Sequence, residues 1–224
     1  MSDSHPAPDA LRSMCAFILA GGRSGRFGLD KALLTREGKR FVDIVIDTCS
    51  LIFGEVYLVG KRYEHPNLTG CVEDERRGVG PIGGLLTALG VSPEGFSFVV
   101  GVDYPFIDGE VIRELGRRTL LEGESRDALV PVMTDGAHPL FAYYHGRCRP
   151  AAARCIEEGR YRLACLSVHA RVTYLNVPAM GSGIPLSRYE RSFININTPE
   201  EYDRFVSGTA RREESATRPP PYPP

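Results

Sequence analysis

Apolar residues fall along this chain as short continuous runs separated by helical stripes. Cys15-Ala16-Phe17-Ile18-Leu19 is an unbroken apolar run closed by Gly21-Gly22, too short for a buried helix and suited to a strand covered on both faces. Phe41, Ile44, Val45, Cys49 and Ile52 then recur at helical spacing, up to a stop near Gly54, and Glu55–Val59 reads as a second strand. Strand, loop, helix and strand in that order make a βαβ unit. The pattern therefore predicts a single Rossmann-like α/β domain with a doubly wound, mostly parallel sheet.

The remaining segments follow the same alternation. A short strand is expected at Cys71–Asp74, a helix opened by Pro81 and stopped by Gly90, and a strong strand at Phe96–Val102. Asp108 is placed to cap a helix from about Gly109 to Leu121. Strands at Ala128–Val132 and His138–Tyr144 flank a turn at Asp135-Gly136, followed by a helix over Arg149–Glu158 and a strand at Arg171–Leu175. Thr198-x-x-Glu201 with Pro199 between them is a capping box that starts a C-terminal helix. Residues 1–12 lack periodicity, and residues 207–224 are charged and then proline-rich, so both ends are expected to be disordered around a domain at 13–206.

Composition narrows the class. The 224 residues are 42% hydrophobic, enough for one full core, and 27 Lys and Arg against 28 Asp and Glu leave a net charge of −1. Phosphate contacts along a nucleic acid need an excess of positive charge, so nucleic acid is not an expected partner. The six cysteines contain no C-x-x-C pair, which speaks against zinc or a disulfide framework. No apolar run approaches the ~20 residues that span a bilayer and no charged-then-apolar leader opens the chain. A cytoplasmic protein without a membrane partner is the expectation.

The chemistry concentrates in Leu19-Ala20-Gly21-Gly22-Arg23-Ser24-Gly25-Arg26-Phe27-Gly28-Leu29-Asp30-Lys31. Glycines let a backbone turn sharply and bring its N–H groups close to an anion, while the arginines and Lys31 supply opposite charge. A strand running into such a loop is a cradle for a nucleoside triphosphate. The spacing matches neither G-x-x-x-x-G-K-[ST] nor G-x-G-x-x-G. Further on, Gly78-Val79-Gly80-Pro81-Ile82-Gly83-Gly84 is either a plain turn into a helix or a second backbone surface beside the nucleotide. Asp103 follows a central strand, where open α/β sheets place their ligands, and its carboxylate suits Mg²⁺. With Asp108 free to cap the next helix, Asp103 need not do so.

The run from Leu19 to Lys31 resembles L-A-G-G-x-S-x-R-x-G-x-D-K, the signature loop of the molybdenum cofactor guanylyltransferase family. The Gly80–Gly84 element, Asp103-Tyr104-Pro105, His138-Pro139-Leu140-Phe141 and Asn195-Ile196-Asn197-Thr198-Pro199-Glu200-Glu201 resemble further motifs of the same family. The resemblance implies a nucleotidyltransferase that joins GTP and Mo-molybdopterin into the guanine dinucleotide cofactor and releases pyrophosphate. It implies that Leu19, Ala20, Gly21 and Gly22 hold the nucleotide, that Lys31 and Arg26 neutralise the triphosphate, that Asp74 also contacts the nucleotide and that Asp103 binds Mg²⁺. Arg162 would meet the phosphate of molybdopterin, beside a second basic position occupied here by Tyr161. Asn195 and Asn197 would meet the pterin, and proteins of cofactor synthesis or delivery are implied as partners. His138 remains open between substrate contact and structure, and Arg160 and Arg162 between a phosphate clamp and a solvated turn.

One segment departs from the family pattern. Where an Asn commonly follows the second strand, this chain reads Val59-Gly60-Lys61-Arg62, while Ala20-Gly21-Gly22 still favours GTP over CTP. A CTP-dependent molybdopterin cytidylyltransferase, a sugar-phosphate nucleotidyltransferase and a non-catalytic nucleotide-binding regulator are the alternative readings.

Overall fold

A computed structural model describes residues 9–21, 31–92 and 94–206. In chain order the elements are α1 (Asp9–Arg12), β1 (Cys15–Leu19), β2 (Thr35–Arg36), β3 (Lys39–Arg40), α2 (Phe41–Ser50), β4 (Glu55–Val59), β5 (Gly70–Val72), α3 (Pro81–Val91) and β6 (Phe96–Gly101). They continue with α4 (Gly109–Glu122), β7 (Ala128–Met133), β8 (Gly136–Ala137), β9 (Phe141–His145), α5 (Cys148–Glu157), β10 (Val172–Asn176), α6 (Leu186–Ser192) and α7 (Pro199–Val206).

The main sheet runs β10-β7-β9-β6-β1-β4-β5, with β8 paired to β7. β1 pairs in parallel with both β4 and β6, and β4 pairs in parallel with β5. Within this path β9 reverses, antiparallel to β6 and to β7, while β10 returns parallel to β7. The sheet is therefore mostly parallel, as the alternation of strand and helix patterns predicts.

Side chains of successive strand residues point to opposite faces, and β1 divides accordingly. Ala16 and Ile18 join the cluster that holds Val42, Ile46, Ile112 and Leu115 of α2 and α4. Cys15, Phe17 and Leu19 join the cluster of Ile82, Leu85, Ala151 and Ala152 from α3 and α5. Burial on both faces explains why β1 reads as an unbroken apolar run. β4 leads one way from β1 and β6 the other, so a crevice opens where their carboxyl ends part.

The structure corrects two expectations. Residues 9–12 form α1, whose Leu11 is buried against the core, so ordered chain begins before residue 13. The expected strand over 138–144 is confined to β9, because His138 N donates to Pro131 O and Phe141 N to His138 O, a turn that carries the chain from β8 into β9. Residues 1–8 and 207–224 lie outside the described residues. No helix among the described residues is long and apolar enough to cross a membrane.

Candidate functional site

The carboxyl edge of the sheet is held together by backbone bonds that run one residue past the strands. Ala20 N donates to Val59 O (3.0 Å), Gly60 N to Val72 O (2.8 Å) and Val102 N to Leu19 O (3.2 Å). This places the Leu19–Gly21 backbone beside the loops that follow β4, β5 and β6. Two glycines permit the contact. Gly60 has φ of +90°, and a Cβ there would lie 2.7 Å from Gly21 Cα. A Cβ on Gly21 would lie 2.8 Å from Asp74 Oδ2. These groups, Lys31, Asp103 and the start of α3 at Gly80-Pro81 line one cleft of about 950 Å³.

The cleft joins opposite charges at low exposure. Lys31 Nζ lies 3.6 Å from Asp103 Oδ2 and donates to Asn197 Oδ1 at 3.0 Å. Asp103 folds back toward its own strand only because residue 101 is glycine, since a side chain there would collide with Asp103 Oδ1. Ile196 N donates to Asp103 O at 2.9 Å and so fastens the segment before α7 to this corner. Burial pushes the Asp103 carboxyl above its usual range, and the neighbouring Lys31 ammonium opposes that shift. Burial raises Asp74 in the same way, with Arg77 opposing. Lys61, also on the cleft wall, is lowered by burial.

Asp103 Oδ1 and Asp74 Oδ1 are both buried without a hydrogen-bond partner. An orphaned buried carboxylate oxygen is costly, and a ligand that completes it removes the cost. Asp103 offers a hard oxygen of the kind Mg²⁺ takes. No group of three or more His, Cys, Asp or Glu that could hold a metal occurs among the described residues.

Of the residues singled out in the sequence, Leu19, Ala20, Gly21, Lys31, Asp74 and Asp103 come together in this cleft. Asn197 joins them through Lys31, and Asn195 lies half-buried two residues before it. Gly22 and Arg26 fall outside the described residues. Arg162 is exposed, in a loop whose Tyr161 O lies 3.8 Å from where a Cβ on Gly80 would stand, so that loop reaches the cleft rim. His138 is buried and structural in its contacts. Its Nδ1 pairs with Tyr104 Oη (3.3 Å), its Nε2 with Asp135 Oδ1 (3.0 Å), and its ring packs on Phe193. Sequence reasoning passed over Lys61, Arg76 and Arg77 as a cationic wall. The available signal was the basic pair shortly after Asp74, hidden because Glu73 and Glu75 balance it locally.

A family model described as the MobA-like NTP transferase domain matches residues 16–171. The chain is 29% identical over 208 residues to the probable molybdenum cofactor guanylyltransferase of Geobacillus sp. (strain WCH70), covering 88% of this chain and 100% of that protein. It is 29% identical over 192 residues to the protein of the same name from Methanothermobacter thermautotrophicus, covering 82% of this chain and 94% of that one. Its fold is similar to that of molybdopterin-guanine dinucleotide biosynthesis protein A from Archaeoglobus fulgidus, with a TM-score of 0.71 and 27% identity over 88% of this chain and 100% of that one. The 2-C-methyl-D-erythritol 4-phosphate cytidylyltransferase of Thermus thermophilus shares the fold alone, with a TM-score of 0.59 and 18% identity over 89% of this chain and 100% of that one.

Proposed function

Because the chain belongs to the MobA-like NTP transferase family, whose model it matches over residues 16–171, we propose that it transfers GMP from GTP to Mo-molybdopterin. The products are the molybdopterin guanine dinucleotide cofactor and pyrophosphate. The observation that carries this reading is the Lys31–Asp103 pair at the carboxyl ends of β1 and β6, with one oxygen of Asp103 left for a ligand.

In the proposed reaction the terminal phosphate oxygen of molybdopterin attacks the α-phosphorus of GTP. A new P–O bond forms there and the bond to the β-phosphate bridging oxygen breaks. The attacking phosphate is already anionic at neutral pH, so no strong general base is required. Backbone groups of Leu19, Ala20 and Gly21 orient the nucleotide along the sheet edge, and the Asp74 carboxylate accepts from its donors. Lys31, helped by Arg26, neutralises the charge that accumulates on the phosphates, so catalysis is chiefly positioning and electrostatics. Asp103 would hold Mg²⁺, which supplies further charge neutralisation when bound.

The test is to incubate the protein with Mo-loaded molybdopterin, Mg²⁺ and either GTP or CTP, then identify the nucleotide released from the cofactor. GMP from the GTP reaction alone is expected. CMP would transfer the reading to a cytidylyltransferase, and tight GTP binding without product would favour a regulator.

A further inference from the structure

The capping box before α7 has a second task beyond starting a helix. Thr198 N donates to Glu201 Oε2 at 3.1 Å and Glu201 N to Thr198 Oγ1 at 3.2 Å, which is the reciprocal box itself. The same Glu201 oxygen also takes the backbone N–H of Asn197, one residue earlier. That fixes the Asn197 main chain. Its side-chain Oδ1 then accepts from Lys31 Nζ at 3.0 Å, while Lys31 lies 3.6 Å from Asp103. Behind this chain of contacts, Leu34, Phe41 and Ile196 form a small separate core on which Tyr202 and Phe205 pack. Tyr202 Oη donates to Thr35 O at 3.1 Å. The element carrying the box is therefore docked on the segment that carries Lys31.

We propose that Asn197 is a positioning residue for Lys31, and that α7 is the latch that aims this ammonium at the phosphates. The inference rests on the nucleotide reading of the cleft. It differs in substance from a pterin contact at Asn197, because a lysine ammonium only donates and the Asn oxygen facing it is thereby engaged. A lysine stem has four rotatable bonds and a strongly hydrated head, so an unguided Lys31 would spread over many positions. A fixed acceptor opposite Asp103 confines the ammonium between two oxygens on the wall of the cleft. The geometry then makes a simple demand on residue 197. It must present an acceptor, and need not present a donor.

The experiment uses Asn197→Ala, Asn197→Asp, Lys31→Ala and the Asn197→Ala/Lys31→Ala double variant of the full chain. Affinity for GTP with Mg²⁺ is measured by calorimetry without molybdopterin, and the Lys31 ammonium is followed by ¹H–¹⁵N NMR in the free protein. Asn197→Ala is expected to weaken GTP binding by about tenfold, the scale of one charge-assisted hydrogen bond. In the Lys31→Ala background it should change nothing further, and Asn197→Asp should restore affinity to within about twofold of wild type, since the acceptor is kept. The ammonium resonance should persist in wild type and Asn197→Asp and broaden away in Asn197→Ala. Independent losses in the double variant would overturn the proposal, as would unchanged GTP affinity with a raised KM for molybdopterin. If wild type binds neither GTP nor CTP, the nucleotide reading fails, and the ammonium signal alone then decides whether Asn197 fixes Lys31.

Discussion

Asp103 keeps one oxygen near Lys31 and hides the other from any partner. In a free protein that arrangement is a burden, since burial disfavours the charged carboxylate. Replacing Asp103 with Asn removes the buried charge and keeps the shape. Asp103→Asn is therefore expected to unfold at the same temperature as wild type or above it, while guanylyl transfer falls by about 100-fold or more. Thermal unfolding monitored by circular dichroism and a product assay check the two halves separately. Lys31→Ala should lose activity on a similar scale with little change in fold, because Lys31 is itself partly solvated. Full turnover in either variant would remove that residue from the mechanism.

At the scale of elements, the site depends on how closely the ends of β1 and β4 approach. Gly60 has a positive φ and sits against Gly21, so Gly60→Ala both strains the backbone and drives a methyl into Gly21. A loss of about 1–3 kcal/mol in chemical denaturation is expected, with a loss of GTP affinity larger than that stability change alone would cause. Burial also decides which elements are legible in the sequence. β1, β4, α2 and α4 were legible because each has a single buried face or two, and period and capping residues announce it. Asp108 does cap α4, through Glu110 N at 2.8 Å, and Thr198 and Glu201 do form their box. The turn at Asp135-Gly136 announces that β9 runs against β7, but its antiparallel pairing with β6 was not legible. Its residues are buried like those of a parallel strand, and direction depends on which neighbour it pairs with rather than on period. α6 carries no clear signal in the sequence for a related reason: Leu186–Ser192 is short and mostly polar, and Tyr189 and Ser192 alone are buried within it. At the cleft, Leu19, Gly21, Lys31 and Asp103 each stand within a motif of the sequence, whereas Lys61 and Arg76 enter through the path of loops that only the folded sheet edge defines.

At the scale of the whole molecule, the end of the sheet opposite the cleft shows what an ion cluster does when it is structural. Asp127, just before β7, accepts from Arg171 Nη2 at 2.9 Å, from Arg171 N at 3.0 Å and from Arg147 Nε at 3.1 Å. It ties the approach to β10 and the turn after β9 to the start of β7. No oxygen of this carboxylate is left unpartnered, in contrast to Asp103 and Asp74. The hydrogen bonds from Arg171 are the main reason its pKa falls from 3.8 to about 2. A carboxyl with a lowered folded-state pKa binds its proton less readily folded than unfolded. Its stabilisation is thus fully present above the unfolded value near 3.8 and disappears as pH falls toward 2. Because Arg171 is mostly exposed and Arg147 more than a third exposed, the contribution is about 1 kcal/mol rather than the full value of the shift. Unfolding by urea between pH 5 and 2 should therefore show a decline in stability that is shallower in Asp127→Asn, with that variant about 1 kcal/mol less stable at pH 6 and nearly equal to wild type near pH 2. Nucleotide affinity at pH 7 should be unchanged in the same variant, since the cluster lies at the opposite end of the strands from Lys31 and Asp103. A parallel offset between the two proteins at every pH would show that Asp127 acts through packing and not through its charge.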